Sequence, residues 1–171
     1  MPEIVRSRDC VVFYKDDTIT VAVDDALVQG GWAGGQGVQW VGSTSDEFIV
    51  TYAEGPFAGF LVWGSDEDGD DYTAQTRNQP HYRFATMFGG AALLSTTTYE
   101  RFTLASRLAG PLVPLTYAVN QPLFLSLRGL WTNEDELTIS GDPRAPSPLA
   151  GIVAQRPKAT NDNFLGIQTV M

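Results

Sequence analysis

Asn120-Gln121-Pro122-Leu123-Phe124-Leu125-Ser126-Leu127-Arg128 is the stretch on which the choice of fold turns. Leu123, Leu125 and Leu127 alternate with Phe124, Ser126 and Arg128. That period of two puts the leucines on one face of a strand and the other three residues on the opposite face. The Asn-Gln-Pro before it is a turn signal, because asparagine tolerates left-handed backbone and proline presets its own φ. The pattern spreads outward over Leu112 to Met171. Leu112-Val113-Pro114-Leu115-Thr116-Tyr117-Ala118-Val119 precedes it, and Gly129-Leu130-Trp131-Thr132-Asn133 follows. Asn133 to Glu136 is a turn or loop, and Ser140 to Pro148 is a proline-rich surface loop that cannot continue a ladder. Leu149 to Ala154 and Phe164 to Val170 supply further strands.

The upstream chain repeats the theme. Cys10 to Tyr14 and Thr18 to Val23 flank Asp16-Asp17 and predict a hairpin. Val38 to Gly42, Phe48 to Tyr52, Phe60 to Trp63 and His81 to Phe88 are strand-like, with Gly, Pro, Ser and Asp between them. Ala91 to Leu108 is the one stretch where a helix competes; its threonine run favours strands with at most one short helix. The sum is an all-β chain, a β-barrel or β-sandwich of about ten to twelve short strands with long loops. Residues 1–9 are polar and predict an extended N-terminal arm; residues 10–171 form a single β-rich domain, with 10–110 and 111–171 as submodules.

Composition excludes several function classes. The chain of 171 residues carries 20 acidic and 11 basic side chains, a formal charge of −9. Nucleic-acid affinity comes chiefly from cations on phosphates, so this balance argues against a DNA or RNA partner and against anionic membranes. No apolar run approaches the roughly 20 residues of a membrane helix. Met1 to Arg8 lacks the apolar core of a secretory signal, which predicts synthesis in a cytoplasm.

The residues able to do chemistry are few. The lone Cys10 reads as a small buried hydrophobe, since one cysteine cannot close an intrachain disulfide. The lone His81 has no nearby partners that complete a nucleophile–base–acid set. Gly30-Gly31-Trp32-Ala33-Gly34-Gly35-Gln36-Gly37 lacks the spacing of a phosphate-binding loop, so it reads as a flexible loop presenting an exposed Trp32. Ser65-Asp66-Glu67-Asp68-Gly69-Asp70-Asp71 is rich in oxygen ligands, with Asp66, Asp68 and Asp70 as the cation candidates. Counted from Asp66 as an EF-hand loop, position 6 is Asp71 and position 12 is Arg77 where glycine and glutamate belong, so a solvated loop is expected and no metal or cofactor.

Three segments carry a family likeness: Asn120 to Asn133, Gly151 to Ala154 and Phe164 to Thr169. Their order resembles a short β module of tailed-bacteriophage head decoration, or cement, proteins. The likeness rests on turn and strand residues and covers roughly a third of the chain. It implies a non-enzymatic structural protein on the outer capsid surface of a virion, bridging major capsid protein subunits against the pressure of packaged DNA. It also implies a homo-oligomer, with a trimer favoured. Acidity, an arm, and aromatics with few lysines suit that role. Candidate contacts are Arg6 and Arg8 on the arm, Trp32 in the glycine loop and Pro146 in the proline loop. The rival expectations are a tail-tube or head–tail connector protein, and a carbohydrate-binding β-sandwich using Trp32, Trp40 or Trp63. An enzyme working through paired carboxylates ranks behind these.

Overall fold

The computed structural model describes the backbone of residues 5–6, 10–12, 18–23, 32–44, 47–51, 57–61, 84–88 and 92–170. Side chains are described for residues 11, 32–39, 57–61 and 92–170. The chain is mostly strand, in largely antiparallel sheets with few helices. The strands are β1 (Val5–Arg6), β2 (Cys10–Val12), β3 (Thr18–Val23), β4 (Gly37–Thr44), β5 (Glu47–Thr51) and β6 (Phe57–Leu61). They continue with β7 (Phe84–Phe88), β8 (Leu93–Thr96), β9 (Pro122–Leu125), β10 (Trp131–Thr132), β11 (Gly151–Gln155) and β12 (Leu165–Thr169). Two short helices, α1 (Leu104–Leu108) and α2 (Glu136–Ser140), interrupt them.

One sheet runs β1-β2-β8-β12-β11-β9-β10, antiparallel throughout. Strands β3-β5-β4-β6-β7 curl into a barrel whose one parallel pair is β3 with β5. In β9 the alternation holds over Leu123 to Leu125, the leucines buried and Phe124 half-buried between them, but it fails beyond, where Ser126 is fully buried and Leu127 half-buried outside the strand. The strand stops at Leu125 because Ser126 turns the chain. Its hydroxyl accepts from the N–H groups of Arg128 and Leu130, each at 3.1 Å. The turn before β9 is built as its residues require. Asn120 takes φ 68°, and the Gln121 side-chain oxygen accepts from Ala118 N–H and Asn133 Nδ2.

Trp131 joins the two sheets. It is fully buried at the edge of the larger sheet and meets Phe57 of β6 edge-on, with ring centroids 5.7 Å apart. Its indole N–H donates to the Gly35 carbonyl at 2.6 Å. Thr98 Oγ1 donates to the Gly34 carbonyl at 2.8 Å, one residue away. The glycine segment is therefore a fitted plug rather than a free tip, and Trp32 is buried within it, 6% exposed. The expectation of an exposed Trp32 is corrected. Gly37 lets the segment close on β9: a Cβ there would sit 2.2 Å from Leu125 Cδ2. Phe60 of β6 belongs to the same cluster of buried side chains as Leu123, Leu125, Val153, Leu165 and Ile167.

Other expectations need correction. Strands β2 and β3 are not a hairpin, since β2 pairs with β1 and β8 while β3 pairs with β5 and β7. Val5 and Arg6 of the expected arm pair with Val12 and Val11. Residues 112–119 make one isolated bridge, Phe102 with Pro114, because Pro111 and Pro114 bring no N–H to a ladder. The turn or loop expected at Asn133 to Glu136 is present over Asn133 to Asp135, and the helix that follows it from Glu136 was not expected: Asp135 caps α2 by accepting from Thr138 N–H at 3.1 Å.

Replacing Trp131 by alanine removes both the core packing and the tie to Gly35. A loss of about 3–5 kcal/mol is expected in urea unfolding. Gly151→Ala tests the close approach of β11 to β12, because its Cβ would stand 2.8 Å from Ile167 Cγ2 and 3.0 Å from the Gln168 carbonyl. A cost of about 1–3 kcal/mol is expected in the same assay; an unchanged midpoint would refute the packing account.

Candidate functional site

The densest cluster of charge among the described residues is buried. Glu100 and Glu136 are 1% and 0% exposed. Glu100 receives Arg128 through Nε at 3.0 Å and Nη2 at 2.5 Å, and Arg107 Nη1 stands 3.3 Å from its Oε1. Arg107 also donates to Glu136 Oε1, while the Leu127 N–H donates to Glu136 Oε2 at 2.8 Å. Every carboxylate oxygen of the pair thus has a donor. Burial pushes the Glu136 carboxyl above its ordinary value, against the Leu127 N–H and the Arg107 charge. The cluster ties α1, α2, the β9–β10 turn and the segment before α1 into one unit. Its chemistry is that of a clamp: both acids are spent on arginines and backbone, so neither is poised as a free acid or base.

Several large apolar side chains face solvent, among them Ile139 of α2 and three residues at and after the end of α1. Leu108, at the end of α1, and Leu112 and Val113, on the loop that leaves it, are 76%, 56% and 51% exposed. That loop is held in shape. Thr103 N–H donates to the Val113 carbonyl at 2.9 Å and Leu115 N–H to the Arg101 carbonyl at 2.8 Å. The sequence signal was present but read otherwise: apolar residues between Pro111 and Pro114 cannot sit in a ladder, so they have no sheet to cover them.

Pro146 is exposed, and its loop is pinned to the start of α2, where Ser147 N–H donates to Asp135 Oδ1 at 2.9 Å. Burial raises the Asp135 carboxyl, but hydrogen bonds from Ser147 and Thr138 outweigh it and hold it below its ordinary value. Asp142 in the same loop is held down at about 2 by Arg144, which donates through Nε and Nη2 at 2.9 Å. Arg6 lies in β1 with its side chain outside the described set. Arg8, Asp66, Asp68, Asp70 and His81 lie outside the described residues, as does the side chain of Cys10. Among the described residues no group of His, Cys, Asp and Glu can hold a metal ion. Nor is any described helix long and apolar enough to cross a membrane. Trp32 and Pro146 therefore stand apart in kind, one inside the core and the other on the surface.

No family model, no curated protein and no solved structure matches this chain.

The clamp makes a pH-dependent prediction. Arg107→Met strands the Glu136 carboxylate in the interior, at a cost of about 3–5 kcal/mol at pH 7. Glu136 already has a folded-state value raised above its unfolded one, so the folded form holds its proton more tightly than the unfolded chain. That contribution is fully present below the unfolded value and is lost as pH rises through the folded one. Without Arg107 the folded value rises further, so the gap between variant and parent should narrow on going from pH 7 to pH 4. Urea unfolding at both pH values measures it; an equal gap at both would refute the clamp.

Proposed function

We propose that this chain is a non-enzymatic virion structural protein that binds the outer surface of a bacteriophage capsid. In this reading it cements contacts between major capsid protein subunits as a homo-oligomer, with a trimer favoured. The observation that carries the reading is spatial. The three segments that resemble head decoration proteins come together as adjacent strands, β10-β9-β11-β12, of one sheet. They form a coherent unit around the core rather than scattered matches. The rigid apolar loop at Leu108, Leu112 and Val113 supplies contact surface, and the exposed Pro146 loop a second point of attachment. Weak contacts at several points add through effective concentration, which suits a protein that must hold neighbouring subunits together. The −9 charge favours solubility at high copy number and an outward-facing position, away from packaged DNA. The same reading takes residues 10–171 as one β-rich domain, needs no cofactor, and places synthesis in the host cytoplasm.

Incubating the protein with undecorated capsids and imaging them tests this directly. Ordered density at stoichiometric copy number is expected on the outer surface. Leu112→Glu with Val113→Glu should weaken shell affinity by about tenfold or more, equivalent to about 1.4 kcal/mol, while leaving the melting temperature unchanged. Absence of shell binding, together with rings or tubes formed by the protein alone, would overturn the proposal in favour of a tail or connector role.

A further inference from the structure

Six cationic side chains are described, and they divide by use. Arg107, Arg128 and Arg144 are ion-paired with Glu100, Glu136 and Asp142. Arg101, Arg156 and Lys158 make no ion pair with a described residue, and all three line one groove of about 320 Å³. Its floor is aromatic and fixed. Tyr99 and Tyr117 pack edge-to-face with centroids 5.5 Å apart. The Tyr99 hydroxyl donates to the Asn163 carbonyl at 2.7 Å, and the Tyr117 hydroxyl to the Glu100 carbonyl at 2.6 Å. Arg101 lies over the Tyr99 ring, its Cζ 4.9 Å from the centroid, which sets the direction of its charge. Lys158 opens a short turn closed by hydrogen bonds between its backbone and Asn161.

Three cations that line one groove without an ion pair to any described residue are unusual for a chain with nearly twice as many acids as bases, 20 against 11. They select an anion. The groove is too short to track a nucleic-acid backbone, and the net charge repels a long polyanion. A short acidic peptide meets both constraints. The most acidic segment of this chain is Asp66-Glu67-Asp68-Gly69-Asp70-Asp71, five carboxylates in six residues. We propose that the groove formed by Arg101, Arg156 and Lys158 binds residues 66–71 of a second copy of this chain. Segment and groove are different parts of the sequence, so such a contact is heterologous and closes into a ring, a trimer among them, when the rotation between copies permits. The inference goes beyond shell binding and does not need it: it concerns how copies hold one another.

Sedimentation of the full-length protein at low salt tests it, with two variants. Arg156→Glu with Lys158→Glu alters the groove, and Asp66→Asn with Asp68→Asn and Asp70→Asn alters the segment. The wild type should self-associate at low salt and dissociate near 1 M salt, where the screening length is about 3 Å. Each variant alone should sediment as a monomer with an unchanged melting temperature. Mixed together they should form a 1:1 complex, because one retains the groove and the other the acidic segment. Variants that associate like the wild type, or a mixture that stays monomeric, would overturn the proposal. So would a monomeric wild type whose segment-altered variant alone binds a synthetic 65–72 peptide, since the segment would then fill its own groove. Preferential binding of a short oligonucleotide over that peptide would overturn the choice of ligand. None of these outcomes depends on capsids, so shell binding and self-assembly succeed or fail separately.

Discussion

The hydrogen bond from the Trp131 indole to the Gly35 carbonyl is the constraint on which the described structure rests. A buried indole N–H without an acceptor is costly, so the tryptophan can occupy the core only if a backbone carbonyl reaches it there. The glycine-rich segment makes that approach. Phe57 and Phe60 then follow from β6, and the curled strands and the long sheet share one set of packed side chains. Thr98 repeats the tie one residue earlier, through the Gly34 carbonyl.

The buried clamp plays a different part. Strands β8 to β12 are held by ladders, but α1, α2 and the β9–β10 turn are too short to hold themselves. Arg107, Arg128, Glu100 and Glu136 fix these pieces relative to one another with charge-assisted bonds. Such a cluster adds little net stability compared with well-packed apolar residues, yet it punishes any arrangement that separates its members. It leaves the outer loops rigid. In the proposed role that would let a partner meet Leu108, Leu112 and Val113 already in place.

Much of the β architecture was legible before any coordinates. The leucine alternation in β9, the Asn120 turn and the proline loop near Pro146 depend on neighbours in the chain, and each appears where the residues indicate. The failures share a cause. Asp16-Asp17 looks like a hairpin turn, but the strands on its two sides pair elsewhere, and pairing partners are a long-range property. Trp32 looked exposed because glycine neighbours usually mean a loose loop; what they fit against is Trp131, about a hundred residues on. Glu100 and Glu136 showed no sign of being partners, since nothing local marks two glutamates as bound to one arginine.

The sequence by itself determined the class of fold and the kinds of surface. Period-two apolar runs punctuated by Gly, Pro, Asn and Asp leave little but strands and turns, and a charge of −9 decides what such a surface repels. Tertiary structure alone decided which carbonyl receives Trp131, which acids are neutralised inside, and which three cations line one groove beside Tyr99 and Tyr117 without an ion pair to a described residue. The physical reason is range. Local pattern sets backbone conformation through steric and hydrogen-bonding preferences of neighbouring residues. The pairing of charges and the fit of side chains are settled only where distant segments meet and exclude water.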